Sequence, residues 1–151
     1  MAWFRRSESA TDYRLGAIEI SRPWARASTS KALEAGGFLT IANRGADPDR
    51  LIAAASPVAE TIEVHGIRVV GSDIAMRRFD DGLTLPAATT LTLQPRGYHL
   101  LLQGLKAPLA KGTRFPVKLT FEKAGGIEIE LNVEAEGLVG EDVLNEALQP
   151  R

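Results

Sequence analysis

Short runs that alternate between apolar and polar residues dominate this chain, and Gly, Pro, Asn or Asp closes most of them. A period of two is that of a β-strand with one buried and one solvated face, and turn signals at roughly 8–12-residue intervals are typical of sandwiches and barrels. The sequence therefore predicts an all-β domain of roughly eight or nine strands. The predicted strands are residues 16–21, 37–42, 49–55, 61–65, 73–79, 89–94, 99–103, 115–122 and 127–133.

Length and patterning indicate one domain with two tails. The chain has 151 residues, 44% of them hydrophobic and 25% charged, which is enough to bury a core and is typical of a soluble globular protein. Residues 1–15 are polar and unpatterned, so we predict a loose, flexible N-terminal tail there and a β-domain over residues 16–137. Residues 138–151 are predicted as a C-terminal tail or short helix, because Glu141 and Asp142 suit the first turn of a helix.

Composition and motifs exclude several partners and activities. The net charge is −1 and the basic residues are scattered, so no nucleic-acid partner is expected. No apolar run reaches the roughly 18 residues of a membrane span. The absence of cysteine excludes disulfides, thiolate metal sites and cysteine nucleophiles. The chain has neither a G-x-S-x-G sequence nor a phosphate-binding loop, so we predict that it is not an enzyme.

Three side chains stand out as candidate metal ligands. His65 and His99 are the only histidines, and Met76 is the only methionine besides Met1. Imidazole and thioether donors without thiolate favour copper over zinc, iron or calcium. Each ligand lies in or at the end of a predicted strand, so the three can come together only if these strands are neighbours at one end of the sandwich. Taken singly, each has a simpler explanation: Met76 as a core residue, the histidines as solvated or turn residues.

Several short motifs follow one another in a characteristic order. They are PWARA (23–27), GGFLTIANRG (36–45), DRL (49–51), EVH (63–65), MR (76–77), LP (85–86), LTLQPRGYH (91–99) and Leu105. From about Ile20 to Val133, their order and spacing resemble the PCu(A)C family of periplasmic copper(I) chaperones. The resemblance implies a cupredoxin-like Greek-key β-sandwich or barrel that binds Cu(I) through a His–Met–His–Met set.

Three of the four ligand positions of that family are matched here. The resemblance assigns His65, Met76 and His99 to the first three ligands. The fourth would be a methionine two residues after His99, where this chain has Leu101. Leucine keeps the volume of methionine but has no donor atom. Cu(I) has a filled d shell and tolerates low coordination numbers, so a three-ligand site is compatible with the resemblance.

The resemblance also implies a function. It indicates a Cu(I)-binding metallochaperone that supplies copper to cytochrome oxidase assembly or serves copper homeostasis, working as a monomer with a copper-accepting or copper-donating protein. The alternative is a β-sandwich adaptor or interaction protein whose metal site is degenerate, as Leu101 suggests. The family is periplasmic, but no apolar stretch follows Arg5-Arg6. No intact secretory signal is therefore predicted, and a cytoplasmic location stays open.

Overall fold

Every regular element that the structure describes is a β-strand. The computed structural model describes residues 11–29 and 31–134, and within these ranges it has no helix of the length and apolarity needed to cross a membrane. The strands are β1 (Tyr13–Leu15), β2 (Ile18–Arg26), β3 (Glu34–Asn43), β4 (Asp49–Ala55), β5 (Ala59–Val70), β6 (Asp73–Arg78), β7 (Leu83–Leu85), β8 (Thr89–Leu93), β9 (His99–Leu105), β10 (Arg114–Phe121) and β11 (Gly125–Glu134).

The strands close into a barrel. Hydrogen-bonded neighbours follow the order β2, β11, β10, β4, β5, β9, β3, and β3 returns to pair with β2. The other strands attach to this ring: β1 to β2, β6 to β5, β7 to β4 and β8 to β3. The pairing of β2 with β11 is parallel, and the other pairings are antiparallel. The seam of the barrel thus joins an early strand to the last described one.

The predicted all-β class is confirmed, because an observed strand overlaps each predicted one. Two strands, β1 and β7, have no predicted counterpart, since three residues are too few to show a period of two. The predicted tail over residues 1–15 is wrong at residues 13–15, which pair with residues 18–20 of β2. The predicted C-terminal helix or tail and residues 1–10 lie outside the described part of the chain.

Alternation sorts the strand residues into an inner core and an outer face. Trp24 and Phe38 lie on the opposite side of β2 and β3 from the core residues Ala25 and Leu39, yet both are buried. Their ring centroids are 4.5 Å apart, so they form an aromatic pair on the outside of the barrel. The core itself includes the fully buried side chains of Ile20, Ile41, Leu100, Leu102, Leu119 and Phe121.

A bulge in β2 sets the position of Trp24 against β3. The register between the two strands shifts at Arg22 and Pro23, where Arg22 has a φ of 55° and Pro23 has no amide hydrogen to donate. The Arg22 N–H instead donates to Asp12 Oδ2 at 2.8 Å. After the bulge, Trp24 lies opposite Phe38, which creates the outer aromatic pair.

A buried carboxylate holds the turn between β10 and β11. Asp49, at the start of β4, is 8% exposed. Its side-chain oxygens accept hydrogen bonds from the backbone N–H groups of Arg50, Lys123 and Ala124 at 2.7, 2.8 and 3.0 Å. Asp49 therefore ties β4 to a turn more than 70 positions further along the chain.

Candidate metal centre

The two histidines lie opposite each other on adjacent strands. His65 of β5 is paired with His99 of β9 in the backbone register. Their ring centroids are 5.8 Å apart, and the ring planes are tilted by 32°. A metal–nitrogen bond of about 2.0–2.1 Å places a ring centroid roughly 3 Å from the ion, so two rings can share an ion up to a centroid separation of roughly 6 Å. The spacing of the pair therefore fits one metal ion held by both imidazoles.

The pair lies within an outer sheet face. One row across this face consists of Trp24, Phe38, His99, His65 and Arg78 on five adjacent strands. The prediction that His65 ends its strand is wrong, because β5 continues past His65 to Val70. Gly66 interrupts the alternation of side chains in the sequence, but the strand runs through it and pairs with β6 up to Val70.

Met76 reaches this region through β6. In the β5–β6 hairpin, Arg78 lies opposite His65 and Met76 lies opposite Ile67. Met76 is therefore on the strand next to His65, two residues from the direct register partner of that histidine. The backbone thus brings the third predicted ligand to the same part of the barrel as the histidine pair.

Leu101 is in the next row of the same face. It lies two residues after His99, is partly buried, and is paired with Glu63 on β5 and with Gly36 on β3. Within residues 11–29 and 31–134, no three His, Asp or Glu side chains are arranged to hold a metal ion.

The ring of His99 is held by the turn that precedes β9. Its Nδ1 lies 2.9 Å from the carbonyl oxygen of Gly97. Because a carbonyl oxygen only accepts, Nδ1 carries the hydrogen, and in the neutral ring Nε2 keeps its lone pair. Burial is the main cause that holds the pKa of His99 below its ordinary value; the hydrogen bond to Gly97 opposes this shift, and electrostatic interactions with His65 and Arg26 add to it. The ring is thus biased toward the neutral form that binds metals.

His65 has a different partner. Its Nε2 lies 2.9 Å from Oε1 of Glu63, and the other oxygen of Glu63 accepts a hydrogen bond from Arg78 Nη1 at 3.0 Å. The hydrogen bond from His65, followed by that from Arg78, lowers the pKa of Glu63. The alternation of β5 predicts that Glu63 and His65 share a face, but the ion pair with Arg78 depends on the β5–β6 register.

With this geometry, comparison with known proteins identifies the family. The profile of the LpqE-like family ("Putative lipoprotein LpqE-like") matches residues 18–133. The chain belongs to this family. A curated relative, "Putative lipoprotein Lxx21020" of Leifsonia xyli subsp. xyli, is 32% identical to this LpqE-like chain over 104 residues, covering 69% of the chain and 61% of the relative. The chain therefore spans about six tenths of the length of that protein.

Solved structures confirm the PCuAC resemblance and the cupredoxin-like fold class. The copper-bound PCuAC domain from PmoF2 is 30% identical, with a TM-score of 0.70 over 82% of this chain and 97% of that domain. The Cu(I) form of DR1885 from Deinococcus radiodurans is 26% identical, with a TM-score of 0.57 over 76% of this chain and 78% of that protein. This LpqE-like chain is therefore a member of the PCuAC family.

A glycine on the inner side of β5 supports the histidine row. A Cβ built on Gly66 would lie 2.6 Å from Cδ1 of Tyr98, so the absence of a side chain at position 66 leaves room for that ring. Tyr98 in turn packs edge-on against Phe79, with ring centroids 5.6 Å apart. Because Tyr98 directly precedes His99, its packing helps to fix the start of β9. The sequence does not reveal this role, since Gly66 resembles an ordinary strand interruption.

Gly66→Ala is expected to destabilise this LpqE-like domain by about 1–3 kcal/mol, the usual cost of overpacking, and to weaken metal binding by displacing Tyr98 and with it His99. Urea unfolding and metal titration measure the two effects. For the unfolding measurement, Gly97→Ala is the matched control, because its nearest contact would be an ordinary 3.4 Å to Gln94. If both variants unfold at the wild-type urea concentration, the packing role of Gly66 is refuted.

Mild acid is expected to destabilise the metal-free domain through His99. The folded state holds the pKa of His99 below 6.5, so the unfolded chain binds the proton more readily. The stability that neutral His99 adds to the folded state is fully present above about pH 6.5 and is lost as the pH falls through the folded pKa. For one proton, the free energy of unfolding falls by at most about 1.4 kcal/mol per pH unit. Urea unfolding at several pH values measures the slope. His99→Gln should flatten it, and an unchanged slope in that variant would contradict the assignment.

Proposed function

We propose that this chain is a Cu(I)-binding metallochaperone that uses His65, Met76 and His99. The observation that carries the proposal is the histidine pair: two imidazoles on adjacent strands, at a separation that fits one ion. Membership of the PCuAC family supports copper as the metal, since one similar domain is copper-bound and another similar protein has a Cu(I) form.

The donor set accounts for the preference for Cu(I). Two imidazoles and one thioether suit a soft monovalent ion. The carboxylate beside the pair, Glu63, is engaged by His65 and Arg78. The role of the residues is to bind and release the ion, with no bond made or broken in a substrate, so the chain is not an enzyme. The His65 side chain is 15% exposed, which leaves an edge through which a partner's ligands can replace those of the barrel one at a time.

The partner is a protein that donates or accepts copper, and the setting lies outside the cytoplasm. The lipoprotein descriptions of the family and of the curated relative support this location, and we infer the periplasm as the compartment. There the chain, as a monomer, would supply copper to cytochrome oxidase assembly or serve copper homeostasis.

A second candidate function rests on Leu101. A barrel that has lost one ligand can persist as an adaptor, because the core does not depend on the metal. Anaerobic Cu(I) titration, with NMR detection of both imidazoles and of the Met76 methyl group, separates the two functions. Concerted shifts of all three groups at one equivalent support the chaperone. Shifts confined to Met1, or no shifts at all, support the adaptor.

Removing the thioether at position 76, or adding one at position 101, tests the ligand assignment directly. Met76→Leu is expected to weaken Cu(I) binding, and Leu101→Met to tighten it, each by roughly tenfold or about 1.4 kcal/mol. Exchanges between Leu and Met usually cost less than about 1.5 kcal/mol of stability, so each variant serves as the other's folding control. Competition against a Cu(I) chelator gives both affinities. An unchanged affinity in Leu101→Met would mean that position 101 does not face the metal.

A further inference from the structure

The chemistry of the two acceptors fixes which nitrogen of each histidine is free. Glu63 is a carboxylate and the Gly97 contact is a carbonyl oxygen, so both can only accept. The neutral His65 must therefore donate from Nε2, and the neutral His99 must donate from Nδ1. The lone pairs left for a metal are Nδ1 of His65 and Nε2 of His99.

The Glu63 carboxylate is held from its other side. Arg78 donates to Oε2 of Glu63 at 3.0 Å and pairs through Nε with Asp80. The register supports this arrangement, because Arg78 lies directly opposite His65 on β6. Glu63 is thus fixed between a cation and an imidazole, and turning it away from His65 would disrupt two contacts.

We propose that Glu63, held by Arg78, is a positioning residue that fixes His65 as its Nε2–H tautomer. The two histidines then bind Cu(I) through different ring nitrogens, an inference that rests on the proposed function. His65 binds through Nδ1 and His99 through Nε2. Copper can then bind without breaking the contact between His65 and Glu63. A carboxylate or carbonyl that accepts a hydrogen bond from the non-ligating nitrogen of an imidazole orients the ring and raises its basicity. Here Glu63 accepts from His65 and Gly97 accepts from His99.

The tautomers can be tested before any copper is added, by long-range ¹H–¹⁵N NMR of the metal-free protein. A pH of about 8 is suitable, because neutral imidazoles prevail there. We expect His65 to show a protonated Nε2 and an unprotonated Nδ1, and His99 the reverse. Anaerobic addition of Cu(I) should then shift the ¹⁵N resonances of His65 Nδ1 and His99 Nε2. A protonated Nδ1 in metal-free His65, or a Cu(I) shift at its Nε2, overturns the proposal.

Variants separate positioning from general structural support. Glu63→Ala should abolish the tautomer preference of His65, leave that of His99 intact, and lower Cu(I) affinity about 10-fold to 100-fold. Arg78→Gln should weaken the preference, and Arg78→Lys should largely restore it. Glu128→Gln, a carboxylate on β11, is the matched control and should change nothing. If His65 keeps its tautomer in Glu63→Ala, the positioning role is refuted.

The same experiment separates failure of this proposal from failure of the proposed function. Copper shifts at Nε2 of both histidines would preserve the chaperone and refute the mixed coordination. If the metal-free protein shows the expected tautomers but Cu(I) shifts neither histidine, the chaperone function is refuted, and with it the assignment of the two copper-binding nitrogens.

Discussion

Replacing either histidine with alanine is expected to lower Cu(I) affinity by roughly 100-fold or more. Loss of a partner that only orients a ligand already costs about 10-fold to 100-fold, and His65 and His99 are the nitrogen donors themselves. The barrel should stay folded, because both side chains lie on its outer face. Competition with a Cu(I) chelator measures the affinity, and circular dichroism checks the fold.

Gln103→Ala is the control for the histidine variants. Gln103 shares the face of His99 on β9 and is hydrogen-bonded to Thr61, two rows from the histidine pair, so its loss should leave Cu(I) affinity unchanged. If His65→Ala and His99→Ala bind Cu(I) as tightly as Gln103→Ala does, the pair is not the copper site and the adaptor function gains support.

Asp49→Ala is expected to cause the largest loss of stability, about 2–4 kcal/mol. It leaves the amides of Lys123 and Ala124 without their carboxylate acceptor in a partly buried setting, and an unmade hydrogen bond costs up to about 1–3 kcal/mol. The β10–β11 turn then loses its tie to β4. Urea unfolding measures the change in free energy.

Asp47→Ala provides the comparison, because Asp47 is an exposed turn residue only two positions away and its removal should shift stability by less than about 0.5 kcal/mol. Cu(I) affinity should be unaffected in both variants. Equal stabilities for Asp49→Ala and Asp47→Ala would show that the carboxylate of Asp49 does not hold the turn.

The strands were predictable wherever alternation extends over several residues. β10 and β11 are examples, since each shows a regular exchange of buried and exposed positions. The same rule places Glu63 and His65 on one face. It fails for β1 and β7, whose three residues contain too little pattern, and at Gly66, where a missing side chain resembles the end of a strand.

The site was predictable in its residue types but not in its arrangement. The scarcity of histidine and methionine singles out the candidate ligands, and the family resemblance orders them. Only the pairing of β5 with β9 shows that His65 faces His99, because strand neighbours in a barrel are set by long-range contacts. The contact between Arg78 and Glu63 depends in the same way on the register of the β5–β6 hairpin.

The parallel seam between β2 and β11 has a consequence for folding. It is tied by the ion pair of Arg22 with Glu134, which are 112 positions apart. A hydrogen bond from the Glu130 amide to Tyr13 of the neighbouring β1 adds a second long-range contact. Contacts of such long range form slowly, because the entropy of closing the loop is lost before they form. A nascent chain that stops short of β11 has an open barrel with two unpaired edges. Closure must therefore wait until nearly the whole domain has been synthesised.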